Sequence, residues 1–445
     1  MHFRYFLIGI LSLSGSLLGQ DPRWPAFLGA GSTPPEAALL PIVWSPEQSI
    51  AWKMALKGHG QSSPILWEKR IFVTTVDGPN KERQLVHCMS LQDGQILWTH
   101  EVPNENPVKN SVYVSRAAPT PVVDADRVVV FFESGDCIAV DHQGENLWSR
   151  NLSKDYGPFI AEFGLGASPC QNADHVFVLM EHDAPGALVA LSKKTGQTVW
   201  KAERAAGRSW SSPAYFKIDG IEQVVVSSNG SVMSYDCATG KVLWELTGLG
   251  GNTNVSPIDN GSGRFLIGAS PGRQGENAES AKKSNGMVQV KKVDGVWKPE
   301  LVWWNDKVSP TWGSPIIHQD LAYWVNRVGV VHCLDTKDGE VVYTGRLKQA
   351  CWATPIAIDD RIYFFGKEGI TTVIQAGRAF KILAENTLFD LETLPPETTT
   401  LGEEGTEERR RAAAMLSGPT LYGSALAGST MIARIGNQVF AMRSE

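Results

Sequence analysis

The sequence predicts an all-β fold, an eight-bladed β-propeller of four-stranded antiparallel blades. Three observations predict it. A small residue followed by proline recurs along almost the whole chain. About thirty residues after each such anchor, a turn glycine leads into a strand that ends in tryptophan. One strand of that last kind stands near the N-terminus with no anchor before it.

The anchors read Ser63-Pro64, Ala118-Pro119, Ser168-Pro169, Ser212-Pro213, Ser256-Pro257, Ser314-Pro315, Thr354-Pro355 and, more weakly, Gly418-Pro419, which makes eight units. The turn-and-strand half reads Gly94 to Trp98, Gly144 to Trp148, Gly196 to Trp200 and Gly240 to Trp244, always four residues apart, and Gly339 to Tyr343 keeps the spacing with another aromatic. Between the halves lie short β-branched runs such as Arg70-Ile71-Phe72-Val73-Thr74 and Arg127-Val128-Val129-Val130-Phe131. The clearest unit runs from Ser212 to Trp244. After its anchor strand come Gln223-Val224-Val225-Val226-Ser227, Ser231-Val232-Met233-Ser234-Tyr235 and Lys241-Val242-Leu243-Trp244, separated by Gly220, Asn229-Gly230 and Thr239-Gly240. Four strands per unit is a propeller blade.

The last unit ends without a tryptophan strand, and Ser49-Ile50-Ala51-Trp52-Lys53 is such a strand without an anchor. Pairing the N-terminal strand into the last blade closes the ring and removes two exposed sheet edges. The repeat spreads one architecture over a length of 445 residues that would otherwise suggest two or three domains. The expected organisation is a signal peptide over 1–19, a lead-in segment over 20–48 and the propeller over 49–445. Insertions near 270–285 and 390–411 break the repeat, the first polar and Gly-rich, the second carrying Glu407-Glu408-Arg409-Arg410-Arg411 as solvated surface.

Compartment and partner class follow from charge and from the first residues. Arg4 precedes an apolar run over 6–18, too short to cross a bilayer and suited to a signal peptide cleaved before Gln20. No cysteine lies near that point for lipid attachment, so a soluble form, periplasmic or secreted, is expected, with no transmembrane segment after cleavage. The net charge of -6 excludes a nucleic-acid footprint, which needs clustered Lys and Arg to replace counterions. Cys88, Cys137, Cys170, Cys237, Cys333 and Cys351 fall singly in different units and read as buried small hydrophobes.

The segment Tyr235-Asp236-Cys237-Ala238-Thr239-Gly240-Lys241-Val242-Leu243-Trp244 resembles the tryptophan-docking motif A-x-D-x-x-T-G-x-x-x-W of pyrroloquinoline-quinone (PQQ)-type propellers, and related copies run from Asp141 to Trp148, Leu191 to Trp200 and Asp335 to Tyr343. The resemblance implies that each motif tryptophan packs on the backbone of the next blade. That superfamily holds quinoprotein dehydrogenases, which bind the quinone and Ca²⁺ in the central channel, and cofactor-free members, which include the lipoprotein subunit of the outer-membrane β-barrel assembly machine. The opening Trp24-Pro25-Ala26-Phe27-Leu28-Gly29, with Ile50-Ala51-Trp52-Lys53 and Ser62-Ser63-Pro64, resembles the cofactor-free group. The Cys-Cys pair that packs over the quinone in many alcohol-oxidising members is missing, and no catalytic residue carries over by motif.

Residues just before each anchor are expected to crowd one mouth of the channel. They supply His59, Gln61, Arg116, Glu162, Arg208 with Trp210, Asn252 with Asn254, Trp312 and Trp352. Aromatic faces beside Arg, Glu and Asn suit a planar or sugar-like ligand, although the tryptophans sit in repeated register as packing residues do. Glu162, Asn252 and Asn254 are the side chains with the oxygen ligands that Ca²⁺ favours. The histidines form no paired metal-ligand motif, Gly248-Leu249-Gly250-Gly251 precedes no phosphate-cradling helix, and no Gly-x-Ser-x-Gly elbow is present. The expected function is a non-enzymatic, monomeric scaffold for a protein or polysaccharide partner, without cofactor. The alternatives are a PQQ- and Ca-dependent dehydrogenase and a carbohydrate-binding propeller.

Overall fold

Runs of β-branched and aromatic residues broken by turn glycines can bury both faces only by stacking sheet on sheet. In the computed structural model, which describes residues 21–32, 37–228, 230–250, 254–271, 277–310, 312–394, 404–416 and 418–444, they form eight antiparallel blades in a propeller ring. The fourth blade shows the register. Ala214–Ile218, Ile221–Ser228, Ser231–Asp236 and Val242–Leu246 pair in order, with Ala214, Val225, Ser234 and Trp244 in one row across the sheet. The last blade takes its outer strand from the N-terminal side, where Ile50–Ala55 pairs with Gln438–Arg443 and Trp52 stands opposite Ala441. Closure is therefore as the repeat predicts. The signal-peptide segment lies outside the described residues.

Tryptophans join the blades. The indole N–H of Trp52 donates to the Leu91 carbonyl (3.1 Å), Trp98 to His142, Trp148 to Lys193, Trp200 to Cys237 and Trp303, which the repeat did not single out, to Thr336 (each 2.9 Å), all in the next blade. Trp244 departs from the expectation and donates to the Gln223 side chain of its own blade (2.8 Å). Each of the first five rings also lies on the turn glycine of the next blade. At Gly240, with φ +71°, a Cβ would stand 2.6 Å from the Trp200 ring, whereas Gly220, with φ +77°, has open space around it. Both positions carry left-handed strain when substituted, and Gly240 adds overpacking. Gly240→Ala is expected to lower stability by about 3 kcal/mol and Gly220→Ala by about 1 kcal/mol, read by urea denaturation. Equal losses would mean that the indole contact adds nothing.

The anchors form a second ring, nearer the axis. Each anchor N–H donates to the hydroxyl of the next: Ser63 to Thr120 (2.9 Å), Thr120 to Ser168 (3.0 Å), Ser168 to Ser212 (2.9 Å), Ser212 to Ser256 (2.9 Å), Ser256 to Ser314 (3.2 Å) and Ser314 to Thr354 (3.0 Å). Two assignments move as a result. The second anchor is Thr120-Pro121 rather than Ala118-Pro119, because the ring needs a hydroxyl and Thr120 adjoins the inner strand Val122–Val123. The eighth is Gly423-Ser424 rather than Gly418-Pro419, since Ala425 faces Ile432 as Ile65 faces Phe72. Gly423 carries no side chain because Ser63 fills the space its Cβ would need.

The lead-in segment is a strap across the ring. Arg23–Trp24 adds a fifth strand to the first blade by pairing with Ile65–Trp67, and the Pro25 carbonyl accepts from the Val123 N–H of the second (2.9 Å). Further on, the carbonyls of Leu40, Pro41 and Ile42 accept from Arg361 (3.2 Å), Tyr363 (3.2 Å) and Asn386 (2.8 Å) of the seventh blade, and Trp44 stacks on Tyr363.

Each insertion carries one described helix, Ala278–Lys282 in the first and Glu407–Leu416 in or beyond the second. Residues 272–276 and 395–403 lie outside the described residues. All six cysteines are free and buried, as expected, and burial pushes the thiols of Cys88, Cys137, Cys237, Cys333 and Cys351 up to about 12. No helix among the described residues is long and apolar enough to cross a membrane.

Candidate functional site

Because the anchor ring holds every inner strand in the same register, the residue two positions before each anchor points to a common place. Gln61, Ala118, Gly166, Trp210, Asn254, Trp312 and Trp352 occupy that position in the first seven blades, and all of them line one central cavity of ≈ 1820 Å³. Their side chains lean on one another around the mouth. Trp312 and Trp352 stack at 4.8 Å between ring centroids and 21° between planes, and Trp352 meets Tyr422 edge-on at 6.0 Å. Trp210 overlies Gly166, where a Cβ would come within 2.9 Å of its ring.

Of the residues singled out in the sequence, Gln61, Arg208, Trp210, Asn254, Trp312 and Trp352 line this cavity. Glu162 stands beside it, exposed, and accepts from Arg208 at 3.2 Å. Arg208 also forms a two-pronged bond with Asp183, which holds that carboxyl below its usual range. Arg116 is buried at 1% exposure and is not part of the lining; its backbone N–H donates to the Gln61 side chain and its carbonyl accepts from the Gln61 N–H, both at 2.9 Å. Asn252 lies outside the described residues.

Beneath the mouth, the partly buried His59 packs close to Arg116 and Arg434. Burial first, then those two guanidinium charges, hold its imidazole well below the usual range, so it is neutral. Arg434, at 0% exposure in the eighth blade, donates to the carbonyls of Ser62 (3.0 Å), Thr74 (2.6 Å) and Gly436 (3.2 Å) and to the Ser62 hydroxyl. Burial lowers its guanidinium to about 9, which leaves it charged at neutral pH. It is a clasp between the last blade and the first.

Several mouth residues carry no repeat signal. Tyr113 and Phe163 are 5.3 Å apart, and Phe163 is 6.1 Å from Trp210, with Arg208 over its face at 5.5 Å. Tyr113 and Phe163 sit in long pre-anchor loops whose lengths differ between units, and Tyr422 was hidden by the misplaced eighth anchor. The charged run at 407–411, expected to be solvated surface, is partly engaged. Arg409 lies 4.9 Å over the Tyr113 ring, Arg410 donates to the Glu404 carbonyl (3.1 Å), and the buried Glu404 carboxylate accepts from Ser111. Leu416, at the end of the same helix, lines the cavity. The loop beneath is held by the buried pair Lys81 and Glu133 (3.2 Å), whose carboxylate also accepts from the Ala117 N–H.

Among the described residues no group of three His, Cys, Asp or Glu side chains is placed to hold a metal ion. Trp312 and Trp352, stacked in the mouth, lie 4.8 Å apart between ring centroids with no room for another ring between them.

The family described as outer membrane protein assembly factor BamB matches residues 42–158, 157–273 and 295–379. BamB of Shewanella oneidensis is 24% identical over 307 residues, 66% of this chain and 67% of that protein. Among solved structures, BamB from Moraxella catarrhalis aligns with a TM-score of 0.57 at 14% identity, covering 88% of this chain and 96% of that one, a likeness of fold. The quinohemoprotein alcohol dehydrogenase from Comamonas testosteroni aligns with a TM-score of 0.43 at 12% identity, over 80% of this chain and 77% of that one.

Proposed function

Since the chain belongs to the family of the outer membrane protein assembly factor BamB, we propose that it is an exported, periplasmic protein-binding scaffold in outer-membrane protein assembly, non-enzymatic and without a resident cofactor. The observation that carries this reading is the family match across most of the blades. The architecture supports it physically. Indole docking, the anchor ring and the Arg434 clasp make a stiff ring whose loops can present side chains without first being ordered, which limits the entropy lost on binding. A scaffold role asks for no titratable machinery at the axis, and the mouth offers paired charges there rather than an acid–base pair.

The test uses the full chain in its native envelope. A photocrosslinking residue at Val108 or Ile160, exposed apolar positions in the loops ahead of the second and third anchors, is expected to give discrete protein adducts. Deleting the protein is expected to lower the level of outer-membrane β-barrel proteins. Unchanged barrel levels together with no adduct would sink the proposal.

A further inference from the structure

The mouth of the channel is built differently from a plain protein-docking face. Its aromatic side chains fall into two arcs across the ring: Tyr113, Phe163 and Trp210 ahead of the second to fourth blades, and Trp312, Trp352 and Tyr422 in the sixth to eighth. In the two gaps between the arcs, at the first and fifth blades, stand the amides Gln61 and Asn254. An eight-bladed ring places those two blades opposite each other. The mouth is therefore flat and apolar on two sides and hydrogen-bonding on the other two.

Two further observations point to a ligand. The hydroxyls of Ser115 and Ser424, each in a residue of 7% exposure on the cavity wall, make no hydrogen bond among the described residues. A buried hydroxyl left this way costs free energy that a bound hydroxyl, amide or water recovers. The paired charges along the channel are Arg208 with Asp183 and Glu162 at the mouth and, at the far end of the inner strands, Lys193 with Asp124 at 2.5 Å. Arg327, exposed, also lines the wall and has no ion pair among the described residues. The cavity of ≈ 1820 Å³ exceeds the roughly 300–1,000 Å³ of pockets for drug-sized molecules and has room for several linked rings.

We infer that the channel mouth binds a neutral oligosaccharide, its pyranose faces laid on the two aromatic arcs and its edge groups hydrogen-bonded to the amides and hydroxyls between them. A sugar ring has an apolar C–H face and a polar rim, which is the pattern of this wall. The helix Glu407–Leu416, held through Arg409 on Tyr113 and lining the cavity with Leu416, covers one side of the entrance. The site is independent of the scaffold role, because it is read in purified protein and the scaffold role in the cell envelope.

The experiment titrates the purified mature chain with cellohexaose and chitohexaose, followed by calorimetry and tryptophan fluorescence. Saturable binding of at least one, with Kd on the order of 100 µM, is expected to weaken ten-fold or more in Trp352→Leu and Trp210→Leu. Leucine keeps the apolar bulk and removes the flat face; Asn254→Ala, a smaller change, is the third variant and is expected to weaken binding about five-fold with an unchanged melting profile. Three results overturn the inference: no binding of either sugar at millimolar concentration, binding unaffected in all three variants, or tighter binding of anionic hexagalacturonate than of both neutral probes.

Discussion

Arg434→Met is expected to lower stability by about 4 kcal/mol and to loosen the ring where the last blade meets the first. Methionine preserves much of the apolar stem and removes every donor. The carbonyls of Ser62, Thr74 and Gly436 then lose a guanidinium partner at a fully buried site, and each acceptor left unsatisfied costs about 1–3 kcal/mol. Against that sum stands the desolvation of a guanidinium with no carboxylate partner in its hydrogen-bond set, which methionine removes. The Gly60 position shows how close the fit is, since a Cβ there would collide with the Arg434 head group. Urea denaturation reads the loss, and hydrogen exchange of Ile50–Ala55 amides locates it. A variant as stable as the parent would place closure on strand pairing alone.

Acidification is expected to remove about 3 kcal/mol of stability through His87 alone between pH 6.5 and 4. The ring of His87 is wedged between Thr75 (2.9 Å from Nε2) and Thr99 (3.0 Å from Nδ1), and its pKa falls to about 4, by burial first and then by the Arg434 charge. The folded pKa lies below the unfolded one, so the unfolded chain takes up the proton first. The stabilising contribution is complete above about 6.5 and is lost as the pH falls through 4, at about 1.4 kcal/mol per unit. His59 is shifted in the same direction, by burial and by Arg116 and Arg434, and adds to the loss. Carboxylates such as Asp124, held below 3.8, release their share at lower pH, so the two windows separate. Stability measured in His87→Gln from pH 7 to 4 should fall less steeply than in the parent. Parallel profiles would remove His87 from the account.

The six candidate residues that line the cavity, Gln61 among them, came from one rule, proximity to an anchor, and that rule holds where the loop before the anchor keeps the common register. Trp210, Asn254, Trp312 and Trp352 each sit two residues ahead of their anchor, and Arg208 two residues earlier still. It fails at Arg116, because the second anchor is Thr120 and not Ala118, and the Arg116 side chain is buried away from the mouth, its backbone bonded to Gln61.

By itself the sequence determined the number of blades, their four strands, most of the docking tryptophans and the closing strand, because each is written locally, in alternating hydrophobic runs, turn glycines and a repeated spacing. Tertiary structure alone decided the rest. The Arg434 clasp joins residues 372 positions apart, and Glu404 meets Ser111 across 293. The lead-in strap likewise ties Leu40 to Arg361. No local pattern encodes such pairs; they arise when a closed ring brings the two ends of the chain together and each buried polar group must find a partner from whatever the ring places beside it.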